Sequence, residues 1–217
     1  MNNKSRLQEA ETSYVPEIVI TRLPQYVRIL ASLQNEGVQI VSSQQLGEHL
    51  HSTPTQIRKD LSYLGKFGKQ SKGYDVEYLS SKLKKVLGLD RKWNVCLVGV
   101  GSLGQAILSY PGFVPEGFNI AAAFDANPTI IGSAVGQLTI KPMSELSQAV
   151  KNLNISIGIV AVPGTEANDV INQVVECGIS AILNYAPIYP QTHRSVKVRN
   201  IDPVLSLQSM TYYLVNS

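Results

Sequence analysis

The spacing of apolar residues changes character twice along the chain. Up to residue 17 it is polar and without period, and this stretch reads as disordered. Thr21-Arg22-Leu23-Pro24 then opens a helix, with Pro24 near its first position and Tyr26, Ile29, Leu30 and Leu33 as an apolar stripe. Val38 to Val41 is a short strand. Ser42 and Gln45 form a capping box before a short helix that turns Leu46 and Leu50 inward. Thr53-Pro54-Thr55-Gln56 repeats the device, with Thr53 as N-cap and Gln56 as its reciprocal partner. Ile57, Leu61 and Leu64 then fall at i, i+4 and i+7 and face a core, which leaves Thr55, Gln56, Arg58, Lys59 and Ser62 on the outer side. Residues 65–76 mix three glycines and three lysines (Lys66, Lys69, Lys72) between potential strands and suggest a hairpin. A helix bearing Leu79, Leu83, Val86 and Leu87 follows, then a linker, Gly88 to Lys92.

From residue 93 the pattern alternates strand and helix. Strands are expected at 95–98, 119–124, 138–140, 155–162, 179–183 and 196–201, with helices from Leu103, over 144–152 and over 165–177. Runs this short at this spacing imply a parallel, doubly wound sheet with ligands at the strand C-terminal ends, where Gly99, Asp125, Pro163-Gly164 and Asn184 fall. Asp202-Pro203 starts a last helix as N-cap and first residue. Its apolar residues, Val204 to Val215, spread around nearly the whole circumference. Such a helix needs cover on several sides, either within its own domain or by insertion into a second subunit. The fold class is therefore α/β, with a winged-helix domain over 1–88, a Rossmann-like domain over 89–201 and a terminal helix over 202–217.

Candidate chemistry concentrates in two places. The run Val95-Cys96-Leu97-Val98-Gly99-Val100-Gly101-Ser102-Leu103-Gly104 reads as buried strand, glycine turn and helix start, with Gly99-x-Gly101-x-x-Gly104 as a dinucleotide fingerprint. Free N–H groups at the helix start face a pyrophosphate. A second strand ends in Asp125, 21 residues past Gly104, where an acid meets ribose hydroxyls. Ala126, Asn127 and Pro128 follow it, so no nearby cation would neutralise a 2′-phosphate, and NAD is favoured over NADP. The other place is the helix-turn-helix, whose second helix has the basic outer face of a recognition helix.

Charge sharpens the second assignment. The formal net charge is +3, but residues 1–88 carry +4 and the rest −1. Within 53–74, Arg58, Lys59, Lys66, Lys69 and Lys72 stand against Asp60 alone, a plausible phosphate-binding footprint. No apolar run approaches the roughly 20 residues of a membrane span, and the polar N-terminus lacks a signal-peptide core, so a cytoplasmic location is expected. Cys96 and Cys177 imply neither a disulfide framework nor a metal site.

With both halves read, the chain resembles the bacterial redox-sensing transcriptional repressors of the Rex family over roughly residues 20–215. The resemblance rests on Thr21-Arg22-Leu23-Pro24-x-Tyr26-x-Arg28, Val41-Ser42-Ser43, Gln56-Ile57-Arg58-Lys59-Asp60-Leu61-Ser62-Tyr63, Gly73-Tyr74-Asp75-Val76, the glycine fingerprint, Phe124-Asp125, Ile201-Asp202 and Leu207-Gln208-Ser209. It implies a homodimer that binds operator DNA through winged helices, binds NAD(H) in the Rossmann domain and swaps its C-terminal helix onto the partner. It implies binding to DNA in the NAD⁺ or apo state and release by NADH. It extends the DNA-contacting candidates to Ser42, Ser43, Tyr63 and Tyr74, and the cofactor candidates to Tyr110 beside the nicotinamide. It further implies a switch network of Arg22, Tyr110 and Asp202. From the residues alone these three read instead as a surface charge, a core residue and a helix cap. The chain departs from the family at Gln70-Ser71, where a basic residue and a glycine are common, and at Leu64, where Phe is common.

Two other functions compete. An NAD-dependent dehydrogenase would need a general acid or base beside the nicotinamide, and His193, in a Pro/Gln/Thr loop, is the only histidine of the second half. A regulator sensing another nucleotide, such as coenzyme A, would use the same glycine turn.

Overall fold

The structure, a computed structural model, describes residues 15–65, 73–192 and 195–216. The chain divides into two compact units, Met1–Asp90 and Arg91–Ser217.

The first unit is built on α1 (Glu17–Asn35), which begins earlier than the sequence pattern suggests. Its buried stripe starts at Val19 and continues through Leu23, Tyr26, Val27, Leu30 and Leu33, so Pro24 lies inside the helix instead of opening it. A proline there leaves the carbonyl four residues back without its usual donor. That carbonyl belongs to Ile20, which is half exposed, so water can satisfy it. After β1 (Ile40–Val41), α2 (Ser43–Leu50) starts at a complete capping box between Ser42 and Gln45. The second helix, α3 (Pro54–Ser62), starts at Thr53, whose hydroxyl accepts from the Gln56 N–H at 3.2 Å. The reciprocal half of that second box is not made: the Gln56 side chain bonds Asp60.

β2 (Tyr74–Asp75) pairs antiparallel with β1, setting Ile40 opposite Asp75 and Val41 opposite Tyr74. The described strand of the expected hairpin thus pairs outside 65–76, and the tip, with Lys66, Lys69, Gln70, Ser71 and Lys72, lies outside the described residues. Asp75 caps α4 (Val76–Val86), and Leu79 and Leu83 join the stripe of α1 with Leu46, Ile57 and Leu61 in one core.

The second unit holds a seven-stranded sheet in the order β5-β6-β4-β3-β7-β8-β9. The strands are β3 (Trp93–Val98), β4 (Phe118–Asp125), β5 (Ala134–Val135), β6 (Leu138–Pro142), β7 (Ile155–Val160), β8 (Ala181–Asn184) and β9 (Lys197–Asn200). All pairings are parallel except β5 on β6, an edge hairpin the sequence pattern did not reveal. The six parallel strands have the order of two mononucleotide-binding halves, with the reversal between β3 and β7. Side chains of β3 alternate: Cys96 and Val98 pack with α6 (Leu146–Asn152) and α7 (Gly164–Glu176), while Val95 and Leu97 pack with Ile107 of α5 (Ser102–Ser109) on the other face. Burial pushes the Cys96 thiol up to about 12, so it is a packing residue and not a reactive one. α8 (Pro203–Val215) is capped by Asp202, which accepts from the Val204 N–H at 2.9 Å, and none of its residues is buried.

Candidate functional site

At the switch point, β3 ends in a turn whose three glycines have different surroundings. Gly99 has φ +93°, and a Cβ there would collide with the Ala161 carbonyl at the end of β7. A Cβ on Gly104 would run into the Gly99 carbonyl, so helix and strand meet without a spacer. Gly101 caps α5 and faces open space, where an anion can approach the backbone. Beside this turn lies a cleft of about 220 Å³ lined by Gly99, Gly101, Asp125, Asn127, Ile130, Val162, Pro163, Glu166 and Val170, among others. Its lining contains two carboxylates and no Lys or Arg. A dinucleotide's phosphates there depend on backbone N–H groups and the dipole of α5.

Asp125 is fixed from two sides: Oδ2 accepts from the Val100 N–H at 2.7 Å and Oδ1 from the Asn127 N–H at 2.8 Å. Each oxygen keeps a further lone pair for a ribose hydroxyl. Ser102 and Leu103 are exposed in the first turn of α5, while Val100 is buried and contributes its amide to Asp125. Tyr110, just past the end of α5, is 59% exposed and stands edge-to-face on Phe113, which rules out the core reading. Asn184 is fully buried, and its amide is committed to Ala186, Ile188 and Asn200. It shapes the loop after β8 and does not line the cleft. Glu166, Asn127, Ile130 and Val170 escaped the sequence reading, although Glu166 lies in the first turn after β7, where ligands are met.

In the first unit, Arg58 and Lys59 are exposed on α3. Arg58 is held outward by the hydroxyls of Ser43, at 3.0 Å, and Thr55, at 3.1 Å. Ser42 is spent on the cap, the exposed Ser62 hydroxyl donates to the Lys59 carbonyl, and Tyr63 and Tyr74 are half-buried. The residue the pattern misplaced is Asp60. The charge pattern sets it among the ions of the phosphate-binding footprint, but it is fully buried. Its Oδ1 accepts from Arg22 Nη2 at 2.6 Å and Gln56 Nε2 at 2.7 Å; its Oδ2 accepts from Arg22 Nε at 2.7 Å and the Tyr26 hydroxyl at 2.9 Å. Burial pushes this carboxyl up, but the hydrogen bonds from Arg22, Gln56 and Tyr26 and the Arg22 charge outweigh it and hold it below the usual range. The position was legible: Asp60 sits three residues past Ile57, on the buried stripe.

Residues 14–62 match a family profile described as the N-terminus of putative DNA-binding proteins, and residues 90–188 one described as a CoA binding domain. The redox-sensing transcriptional repressor Rex of Chloroflexus aurantiacus is 52% identical over 92% of this chain and 94% of its own length. The chain belongs to the Rex family. The Rex of Brevibacillus brevis is 42% identical over 94% of this chain and 99% of its own. Among solved structures, the Rex-family repressor RSP in complex with β-NAD⁺ and operator DNA superimposes with a TM-score of 0.87 at 37% identity, covering 93% of each chain. RSP in complex with β-NADH superimposes at 0.83 with 36% identity, over 92% of this chain and 94% of that one. The Rex fold is thus common to this chain and to relatives seen with both redox states of the cofactor. No helix among the described residues is long and apolar enough to cross a membrane, and no group of three or more potential metal ligands occurs among them.

Proposed function

We propose that this Rex-family chain is a cytoplasmic transcriptional repressor that reads the NADH/NAD⁺ ratio, holding its operator in the NAD⁺ or apo state and releasing it when NADH binds. It works as a homodimer and catalyses no reaction on the nucleotide. The observation that carries the reading is the pairing, in one family member, of a Gly101 turn open to a phosphate with a capped recognition helix presenting Arg58 and Lys59. Gly99, Val100, Gly101, Ser102, Leu103, Gly104, Asp125 and Pro163 form the NAD(H) site. Ser42, Ser43, Thr55, Gln56, Arg58, Lys59, Ser62, Tyr63 and Tyr74, with the wing lysines, form the DNA face. Reduction turns a cationic nicotinamide into a neutral ring, and Tyr110, an exposed aromatic at the end of α5, is suited to register that change. α8 swaps onto the second copy, which brings Asp202 toward a cation of that copy's α1. Arg22 enters the network through Asp60 and the recognition helix. Arg22, paired with Asp60 within its own unit, and Asp202 of the swapped helix together hold the DNA-competent arrangement. A ligand shifts such an equilibrium only by its differential affinity for the two states.

The test is a titration of operator DNA at fixed salt with NAD⁺ or NADH. NADH should weaken binding by roughly 5–150-fold, and equal affinity with both nucleotides refutes the reading. The matched CoA-binding profile supports a second reading, a coenzyme A sensor. Coenzyme A carries a phosphate on the adenosine ribose, which Asp125 would repel, so calorimetry should show NADH binding and coenzyme A failing to bind.

A further inference from the structure

We propose that Gln56 reads an adenine in each operator half-site and that the buried Asp60 is the positioning residue that turns its amide into register. The inference rests on the assignment of α3 as recognition helix. Gln56 is the third residue of α3, and the N-terminal residues of a recognition helix are those that reach base edges. One of its Nε2–H groups donates to Asp60 Oδ1 at 2.7 Å. The other N–H and the carbonyl oxygen have no protein partner among the described residues, and the residue is half-buried. A free amide can rotate by half a turn and offer either order of donor and acceptor. This one cannot do so at low cost, because rotation would set Oε1 against a carboxylate oxygen. All the acceptor capacity of Asp60 is filled, with two bonds from Arg22, one from Tyr26 and one from Gln56. The carboxylate therefore has no freedom to follow a rotated amide. What remains on Gln56 is one acceptor and one donor in fixed order, the complement of adenine N6–H and N7 in the major groove. Arg58, two residues further along α3 and clamped by Ser43 and Thr55, supplies a cation from the other edge of the exposed face.

The experiment uses the full-length dimer and a duplex that the wild type selects from a randomised library. Every position of one half-site is then changed in turn to the other three base pairs. The wild type should prefer A·T at one position by about 5–150-fold, the equivalent of roughly 1–3 kcal/mol for a bidentate amide–adenine pair. Gln56→Ala should flatten that one position to within twofold and leave the rest of the profile intact. Asp60→Asn should flatten the same position and leave the preferences at every other position intact, a pattern a merely structural role would not give. The inference is overturned if Gln56→Ala keeps the wild-type profile, or if the lost preference was for G or C. It is equally overturned if Asp60→Asn keeps the full preference. Should Asp60→Asn not fold, the side-chain amide of Gln56 in the wild type decides by NMR: exchange with water well slower than that of the exposed Gln34 supports the clamp, and equal exchange overturns it. Arg58→Ala separates the two levels. Weakened operator binding in Arg58→Ala beside an unchanged Gln56→Ala profile sinks only this inference; no change in either variant sinks the recognition-helix assignment.

Discussion

α3 and α8 open in the same way and end in opposite situations. Each has a short polar cap followed by proline, Thr53-Pro54 and Asp202-Pro203, and in each the cap oxygen accepts a backbone N–H of the first turn. α3 then confines its apolar residues to one stripe, and Ile57 and Leu61 are fully covered within the first unit. α8 distributes them around its circumference, and Leu207 is 61%, Met210 58% and Leu214 80% exposed. A stripe can be satisfied by one neighbouring layer, whereas an all-round apolar helix needs a groove. The contrast teaches that α3 finds its cover within its own unit, while α8 leaves its apolar surface bare, as the proposed swap onto a second copy requires. A contiguous exposed apolar patch of this kind marks an interaction site.

The largest effect should come from breaking the α8 side. Leu207→Asp with Met210→Asp places charge on the surface that the proposed swap buries between copies. The dimer should dissociate, and operator affinity should fall by about 10²–10⁴-fold, because two half-sites are no longer bound by linked modules. Sedimentation and operator titration check this; a dimer that survives the double substitution would return α8 to its own subunit.

On the α3 side the equivalent break is Arg22→Ala. It leaves Asp60 buried with Tyr26 and Gln56 but no counter-charge, and removing one partner of a buried pair costs roughly 3 kcal/mol. The N-terminal unit should melt earlier and operator binding should fall, with NADH binding intact. The same cluster sets an acid limit. Because the folded Asp60 pKa lies below the unfolded carboxyl value of about 3.9, its contribution is fully present above that value and is lost as pH falls through the lower folded one. Asp60→Asn should remove that component of acid unfolding, which urea titrations between neutral pH and about pH 3 would show.

The two helices also explain what was readable in the sequence. Period and caps placed α2, α3 and the β3-turn-α5 unit, because their signals are local: Ser42 with Gln45, Thr53 with Pro54, and Gly99, Gly101 and Gly104 at fixed spacing. The start of α1 was missed because Pro24 is a strong local signal, outvoted by Val19 packing into the unit's core. Asp60 was misread because charge counting ignores phase; its partners Arg22 and Tyr26 lie on another helix, 38 and 34 residues away. Asn184 stood at a ligand-binding strand end, yet loop closure consumes its amide. The cleft wall from Glu166 and Val170 is set by how α7 leaves β7, which no motif encodes.

A smaller effect sharpens the comparison at the cap of α8. If Asp202 only capped a helix, Asp202→Ala would leave the NADH response unchanged. As part of the switch, its loss should shrink the 5–150-fold effect of NADH toward one, and Tyr110→Ala should do the same from the cofactor side. Operator titration with each nucleotide distinguishes these. A full response in both variants would remove Tyr110 and Asp202 from the network.

The smallest expected effect is the matching cap of α3. Thr53→Ala frees the Gln56 N–H from its 3.2 Å bond, a loss of about 1 kcal/mol for an N-cap threonine. Pro54 still presets the first turn, and Ile57 and Leu61 still anchor the helix, so α3 should persist and NADH release should remain. The first turn nevertheless carries Thr55 and Gln56, and the 3.1 Å contact from Arg58 to Thr55 depends on its geometry. Operator affinity should therefore fall a few-fold, with the same ratio between NAD⁺ and NADH states. Equal caps would then have unequal meanings: Thr53 sets affinity without touching the switch, and Asp202 sets the switch with little effect on the fold. A Thr53→Ala protein that lost its NADH response would break that division, since it would tie the α3 cap to the two-state equilibrium and not to the local helix alone.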